Sequence, residues 1–218
     1  MVYNISEAHS LVSQWMAEIR SVEIQADRMR FRRNMERVGE VIAYEISKTL
    51  PFGTRQITTP LGSLDMTVFD EGNHPVVGTI LRAGLPLHQG LLNYFDKADC
   101  AFVAAYRKHH KDGSFEIEQH YVTCPELSNR VLILADPMLA TGASLIQAIE
   151  ELLLYGTPSK IIIVCAIAST IGLESVARRF PEADIWTAAI DDEITAKGYI
   201  VPGLGDAGDL AFGEKKQS

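Results

Sequence analysis

Cysteine is scarce here: Cys100, Cys124 and Cys165 are odd in number, far apart, and never in C-x-x-C spacing. That excludes a disulfide framework and offers no zinc-ligand pattern. Core or incidental thiols in a reducing compartment are expected. A basic excess is missing too. The 20 Lys and Arg face 28 Asp and Glu, for a net charge of −8, a poor electrostatic footprint for a nucleic-acid binder. Long apolar runs are absent; the most apolar stretch, Ile161 to Ala168, is far too short to span a bilayer. The opening M-V-Y-N-I-S-E-A-H-S has no basic region followed by an apolar one, so no secretory signal is expected. Together these absences point to a cytoplasmic protein with neither a nucleic-acid nor a membrane partner. Repeats, low-complexity tracts and linkers are also lacking. With 218 residues, 47% hydrophobic and 22% charged, the chain reads as one α/β domain over 1–218 that needs no disulfide or metal to hold it together.

Periodicity divides the chain. Leu11, Val12, Trp15, Met16 and Ile19 share one face at helical spacing, and a second helical pattern runs from Ile24 through Phe31, Met35, Val38 and Ile42 to Ile46. These define a helical segment over 1–50. Arg28, Arg30, Arg32, Arg33 and Arg37 lie on the second helix, where a solvated face is the plain reading and phosphate contacts or a subunit interface the alternatives. Gln56–Thr59 and Leu64–Phe69 flank a turn at residues 60–63 and predict a hairpin. Short apolar runs then alternate with amphipathic stretches. The runs are Val76–Leu81, Cys100–Tyr106, Val131–Ala135, Lys160–Ile167 and Ile185–Ile190; the helical stretches are Leu85–Phe95, Ser144–Tyr155 and Ile171–Phe180. Continuous apolar strands separated by helices argue for a mostly parallel sheet covered on both faces. Residues 107–122 break this rhythm. They are polar around Asp112-Gly113 and predict an exposed β-arm or a mobile loop.

Segment 131–144, V-L-I-L-A-D-P-M-L-A-T-G-A-S, carries the most chemistry. Its order is strand, acidic residue, small-residue loop, helix. Asp136 then falls at the carboxyl edge of the sheet, where ligands bind in open α/β folds. The helix start at Thr141 to Ser144 offers backbone N–H groups with no intrahelical partner and a dipole that favours an anion. No G-K-[ST] follows, so this is not the phosphate loop of ordinary NTPases. From spacing alone, a helix merely capped by Ser144 fits as well. Arg82 ends an apolar strand and is followed by Ala83-Gly84, where backbone can approach a ligand; the arginine fork suits phosphate oxygens. Gly198 to Asp209, G-Y-I-V-P-G-L-G-D-A-G-D, has glycines and a proline enough to dictate an irregular backbone with exposed N–H and C=O groups.

These segments resemble, in order, those of the uracil phosphoribosyltransferases, within the type I phosphoribosyltransferases. D-P-M-L-A-T-G-A-S is similar to their PRPP loop D-P-M-L-A-T-G-G-S, I-L-R-A-G at 80–84 to their pyrophosphate loop, A-Y-R at 105–107 to their M-Y-R segment, and 198–209 to their uracil segment. The resemblance runs from about Arg28 to the end and is loose over 108–123. It implies a mostly parallel sheet flanked by helices, with N-terminal helices and a β-arm. It implies PRPP contacts from Arg82, Arg107, Asp136, Pro137, Met138, Leu139, Ala140, Thr141, Gly142, Ala143, Ser144 and Asp206, and uracil contacts from Ile200, Gly205, Asp206 and Ala207. Asp136, Arg107 and Asp206 would be the catalytic set. Mg2+ would be the cofactor, met by Asp206 indirectly and mostly through PRPP. A homodimer or higher homo-oligomer is implied, and activation by GTP, a trait of some relatives, is carried as an expectation. Ala143 stands where the family has a second glycine; the change is harmless if that position is helical and weakens phosphate binding otherwise. Two other readings are a purine phosphoribosyltransferase, opposed by Ala135 in place of a second acidic residue, and a regulatory RNA binder, opposed by the acidic balance.

Overall fold

The structure, a computed structural model, describes residues 1–70, 72, 74–109 and 115–214, with the side chains of residues 105–120 outside that description. In chain order the strands are β1 (Val2–Asn4), β2 (Phe52–Thr59), β3 (Gly62–Phe69), β4 (Val76–Leu81), β5 (Asp99–His109), β6 (Phe115–Thr123), β7 (Val131–Ala135), β8 (Met138–Leu139), β9 (Lys160–Cys165), β10 (Ile167–Ser169), β11 (Asp184–Thr187), β12 (Ile190–Asp191), β13 (Glu193–Ile194) and β14 (Ile200–Val201). The helices are α1 (Leu11–Arg20), α2 (Arg28–Ser47), α3 (Leu85–Leu92), α4 (Ala143–Leu152), α5 (Thr170–Arg179) and α6 (Ala207–Phe212).

A seven-stranded sheet in the order β1-β11-β9-β7-β4-β5-β6 forms the centre. Every neighbouring pair is parallel except β5 and β6. Alternation along the strands splits the core into two layers, because successive side chains leave a strand on opposite faces. Val77, Ile133, Ala135, Ile162, Val164 and Trp186 pack with α1, α2, α3 and α6 on one face. Val76, Leu132, Leu134, Ile163, Cys165 and Ile185 pack with α4 and α5 on the other. This is the mostly parallel, doubly covered sheet that the apolar runs predict. Among the described residues no helix is long and apolar enough to cross a membrane.

Several boundaries differ from expectation, each for a local reason. The second helical pattern begins at Ile24, yet α2 starts only after Asp27, whose carboxylate accepts from the Arg30 amide at 3.0 Å and caps it. Lys160–Ile167 is not one strand. The amides of Ala166 and Ile167 both donate to the Pro137 carbonyl at 3.1 Å, which turns the chain out of the main sheet. Ile185–Ile190 divides likewise into β11 and β12. Out of β8, β10 and β12 comes a small parallel sheet, ordered β12-β10-β8, lying beyond the carboxyl ends of the main strands. β1, which is not foreseen from sequence, adds the edge strand beside β11. Within 107–122, the described residues belong to the main sheet: β5 extends to His109 and β6 pairs with it antiparallel from Phe115, with an irregularity between Ala104 and Ala105. The hairpin at 52–69 is longer than its apolar alternation suggests, and nearly all of it is exposed.

The arginines of α2 are largely occupied within the chain. Arg30 donates to buried Glu18 on α1 at 2.9 and 2.8 Å, and Arg33 pairs with Glu36 and Glu40. Arg32 donates to the Ala211 carbonyl at the end of α6, and Arg37 lies over Trp15. Glu18 also accepts from Asn34 at 2.7 Å and Gln14 at 3.1 Å. The bond from Arg30 first, then those from Asn34 and Gln14, hold the Glu18 carboxyl at about 2 against the opposing effect of burial. A depressed folded pKa stabilises the fold above the unfolded value and loses that contribution as pH falls toward the folded one. Glu18→Gln is therefore expected to lower stability by about 1 to 2 kcal/mol at neutral pH, kept modest by the half-exposed Arg30. The gap to wild type in urea melts should shrink on acidification from about pH 5 toward about pH 3. A gap independent of pH would contradict the assignment.

Candidate active site

The carboxyl ends of β4 and β7 set the site. Thr79, fully buried on β4, donates through Oγ1 to the Ala135 carbonyl at 3.2 Å, locking the two strand ends together. Gly84, the N-cap of α3, sits against Thr79 Oγ1 and the carbonyls of Ile80 and Ala135, so closely that no side chain fits. The turn 82–84, which opens with a cis Leu81–Arg82 bond, is thereby held beside the start of the segment at Asp136.

Asp136 follows β7 half-buried, with its amide donating to the Val164 carbonyl at 3.0 Å. Pro137 turns the chain into β8, where Met138 and Leu139 pair with Ile167 and Ala168. The Ala140 carbonyl accepts from Ser169 Oγ at 2.5 Å, and the same hydroxyl accepts from the Gly172 amide to cap α5. Gly172 lies so close to the carbonyls of Leu139 and Ala140 that a Cβ there would collide with both. The loop before α4 is thus clamped from below. Gly142 then takes φ +82° and ψ −14° as the N-cap of α4, a left-handed conformation suited to glycine. Ala143 is the first helical residue, one residue past the left-handed position, so the alanine costs the backbone nothing. Its amide donates to Thr141 Oγ1 at a loose 3.4 Å, and Ser144 is half-buried in the same first turn. The amides of this turn have no intrahelical acceptor and face the positive end of the dipole. Ser144 does not cap the helix; that place belongs to Gly142.

The glycine-rich segment closes on the same edge from the other side. β14 pairs with β13, the Val201–Pro202 bond is cis, and Gly203 and Gly205 have φ +57° and +96°. Asp206 caps α6 by accepting from the Asp209 amide at 3.0 Å. Ile200 and Ala207 are buried, and Gly205 is exposed. Irregular backbone therefore covers only part of 198–209; from Ala207 it is helical. Arg82 Nη2 reaches the Gly213 carbonyl at 3.2 Å and Asp209 Oδ1 at 3.5 Å, while Ala83 lies against Gly208. So segments 82–84, 135–144 and 206–213, far apart in sequence, form one continuous edge. Arg107 belongs to β5, but its side chain, like those of Lys108 to Lys111, lies outside the described residues.

Cysteine chemistry has no place here. Burial, with Asp136 adding to it, pushes the Cys165 thiol up to about 12, and burial pushes Cys124 to about 11, so neither supplies a thiolate near neutrality. Among the described residues no three His, Cys, Asp or Glu side chains cluster as a metal site. Sequence reasoning missed Arg20 and Asp191, which hold the glycine-rich segment from behind. Neither lies in a recognisable motif, and only the fold brings them together.

Known proteins resemble this chain over nearly its whole length. A family model described as uracil phosphoribosyltransferase matches residues 5–214. A protein of Porphyromonas gingivalis named uracil phosphoribosyltransferase is 50% identical over 215 residues, covering 98% of this chain and 99% of that protein. One of Pyrococcus furiosus with the same name is 36% identical, covering 98% of this chain and 90% of its own length. A solved structure of an Aquifex aeolicus protein superposes with a TM-score of 0.87 at 29% identity, covering 98% of both chains.

Gly142 and Ala143 should respond oppositely to exchange. Gly142→Ala forces an L-residue into the left-handed region against Val176 and Gly172 and is expected to destabilise by about 1 to 2 kcal/mol. Ala143→Gly, at a helical position, should cost less than about 1 kcal/mol. Thermal melts of both variants check the order, and the reverse ranking would contradict the assigned backbone.

Proposed function

The chain belongs to the uracil phosphoribosyltransferase family, and we propose from that premise that it transfers the 5-phosphoribosyl group of PRPP to N1 of uracil, giving UMP and pyrophosphate in pyrimidine salvage. The observation that carries this reading is the meeting of the three family-like segments along one carboxyl edge. The whole of 1–218 acts as one domain, with the helical segment 1–50 and the β-arm 107–122 as parts of it.

In this reading the 5-phosphate sits on the first turn of α4, where the amides from Ala143 onward and the hydroxyls of Thr141 and Ser144 donate to it. Pro137 to Gly142 shape that cradle. Asp136 meets the ribose hydroxyls. Pyrophosphate lies near Arg82, which exchanges its bonds to Asp209 and Gly213 for phosphate oxygens, and near Arg107. Uracil stacks its edge on backbone groups around Ile200, Gly205, Asp206 and Ala207. As the C1–pyrophosphate bond lengthens, positive charge grows on the ribose, and Asp136 stabilises it electrostatically. N1 of uracil enters from the opposite face, and the proton it sheds passes to solvent or to pyrophosphate. Magnesium would enter with PRPP as its complex and would supply charge neutralisation of the leaving group. Asp206, the N-cap of α6, would meet that cation indirectly, mostly through PRPP.

A backbone pattern fitted to uracil leaves buried groups unpaired against cytosine, which supports selection between them. The exposed hairpin β2–β3 supports a homodimer or higher homo-oligomer, since an isolated two-stranded sheet is marginal in water. The fold and charge suit a cytoplasmic enzyme without nucleic-acid or membrane partners, with GTP activation as a proposed property of its assembly.

Radiolabelled uracil, PRPP and magnesium, each omitted in turn, test the reaction: UMP is expected only when all are present. Comparable turnover of cytosine, adenine or hypoxanthine would overturn the specificity. Asp206→Ala and Arg107→Ala should each lower kcat by about 100-fold or more with circular dichroism unchanged. Near-normal kinetics would remove those residues from the site.

A further inference from the structure

Behind the glycine-rich segment lies an ion pair between half-buried Arg20 and buried Asp191 that no part of the reaction uses directly. Arg20, in the last turn of α1, donates through Nη1 and Nη2 to the two carboxylate oxygens of Asp191, both at 2.8 Å. Asp191 is 8% exposed. The pair does more than neutralise itself. Asp191 Oδ2 also accepts from the Gly203 amide at 2.9 Å, and Arg20 Nη1 also donates to the Gly203 carbonyl at 3.1 Å. Both polar groups of one residue in the irregular segment are therefore taken by the same ion pair, the amide by Asp191 and the carbonyl by Arg20. Gln25, in the amide orientation that satisfies both its ends, donates to the carbonyls of Ile19 and Leu204 at 3.1 and 2.9 Å. Burial works against the Asp191 charge, yet the bonds from Arg20 and from the Gly203 amide keep its carboxyl below the usual range.

Asp191 itself is fixed from the far side. It ends β12, paired in parallel with Ser169 of β10, and β10 in turn pairs with β8 in the phosphate-loop segment. The guanidinium fork is thus the crossing point between α1, the small sheet and residues 203–204. Gly203 has φ +57°, and its position leaves no room for a side chain against Ile200. Nothing else in the irregular run from Pro202 to Gly205 carries a side chain that could hold its backbone, Leu204 apart. A loop without its own anchoring side chains takes its shape from outside.

We propose that Arg20 and Asp191 are positioning residues for base recognition: by holding both backbone groups of Gly203, they set the shape of residues 200–207 and so the affinity for uracil. This rests on the reading of Ile200 and Gly205 to Ala207 as the base contacts. Preorganised backbone donors and acceptors bind better than ones that must be ordered on binding, and a small shift in them is felt as lost affinity. Bidentate arginine is not replaced by lysine in such a role, because lysine offers a point charge without the fork.

Steady-state kinetics of Asp191→Asn, Asp191→Ala and Arg20→Lys, with uracil and PRPP varied separately, tests this. Asp191→Ala should raise KM for uracil by about tenfold or more while KM for PRPP stays within about twofold. Asp191→Asn keeps an acceptor for the Gly203 amide, and Arg20→Lys keeps a charge; both should fold and give smaller rises in the same direction. A merely structural pair would lower melting temperature and active fraction, reducing kcat with both KM values unchanged. That result, or equal rises in both KM values, overturns the proposal. Ala207→Val, placed directly in the base segment, separates the two ideas. If it raises KM for uracil while the Arg20 and Asp191 variants do not, the positioning role fails and the base site stands. If it leaves KM for uracil unchanged, the base-site reading fails, and the positioning role fails with it.

Discussion

Parallel pairing of β11, β9, β7, β4 and β5 is the constraint on which the rest of the molecule depends. Strands that all point one way deliver all their following loops to one edge, and crossovers must bury both faces with helices. That single requirement explains the continuous apolar runs, the two core layers and the gathering of Arg82 and Asp136 at neighbouring strand ends. It also explains why the chemistry needs so little secondary structure of its own. The loops are short, and buried groups such as Thr79 and Ser169 tie them to the strand ends.

The small sheet β12-β10-β8 adds the second level of organisation. It forms because β9 and β11 break, at Ala166 and beyond Thr187, and their continuations pair again beyond the main sheet. One of its edges carries Met138 and Leu139 of the phosphate segment; the other ends on Asp191, which meets the glycine-rich segment. Two loops that would otherwise be independent share a hydrogen-bonded platform. The N-terminal helices, whose amphipathic pattern says only that they cover a face, reach the same platform through Arg20.

The central sheet was readable from sequence because its strands are buried on both faces. Val76–Leu81 and Val131–Ala135 match residue for residue. Pattern failed where burial does not change at a boundary. Ala166 and Ala188 are as buried as the strands they interrupt, so nothing apolar marks the bends. β1 was hidden by its three-residue length, and α6 by Gly205 just before it and Gly208 within it. Of the candidate site, the order of strand, Asp136, small residues and helix start was legible. The glycine at 142, not the residue at 143, takes the left-handed conformation, a distinction that no spacing makes. Arg20 and Asp191 were illegible for a plainer reason. An ion pair between residues so distant in sequence has no local signature.

If the first turn of α4 and the segment 200–207 bind opposite ends of one nucleotide, as proposed, a crystal structure of the protein with UMP will show it. The 5′-phosphate oxygens should then lie within hydrogen-bond distance of the backbone amides from Ala143 onward, and the pyrimidine ring against Ile200 and Ala207. UMP bound away from this edge, or with its phosphate elsewhere than the start of α4, would contradict it.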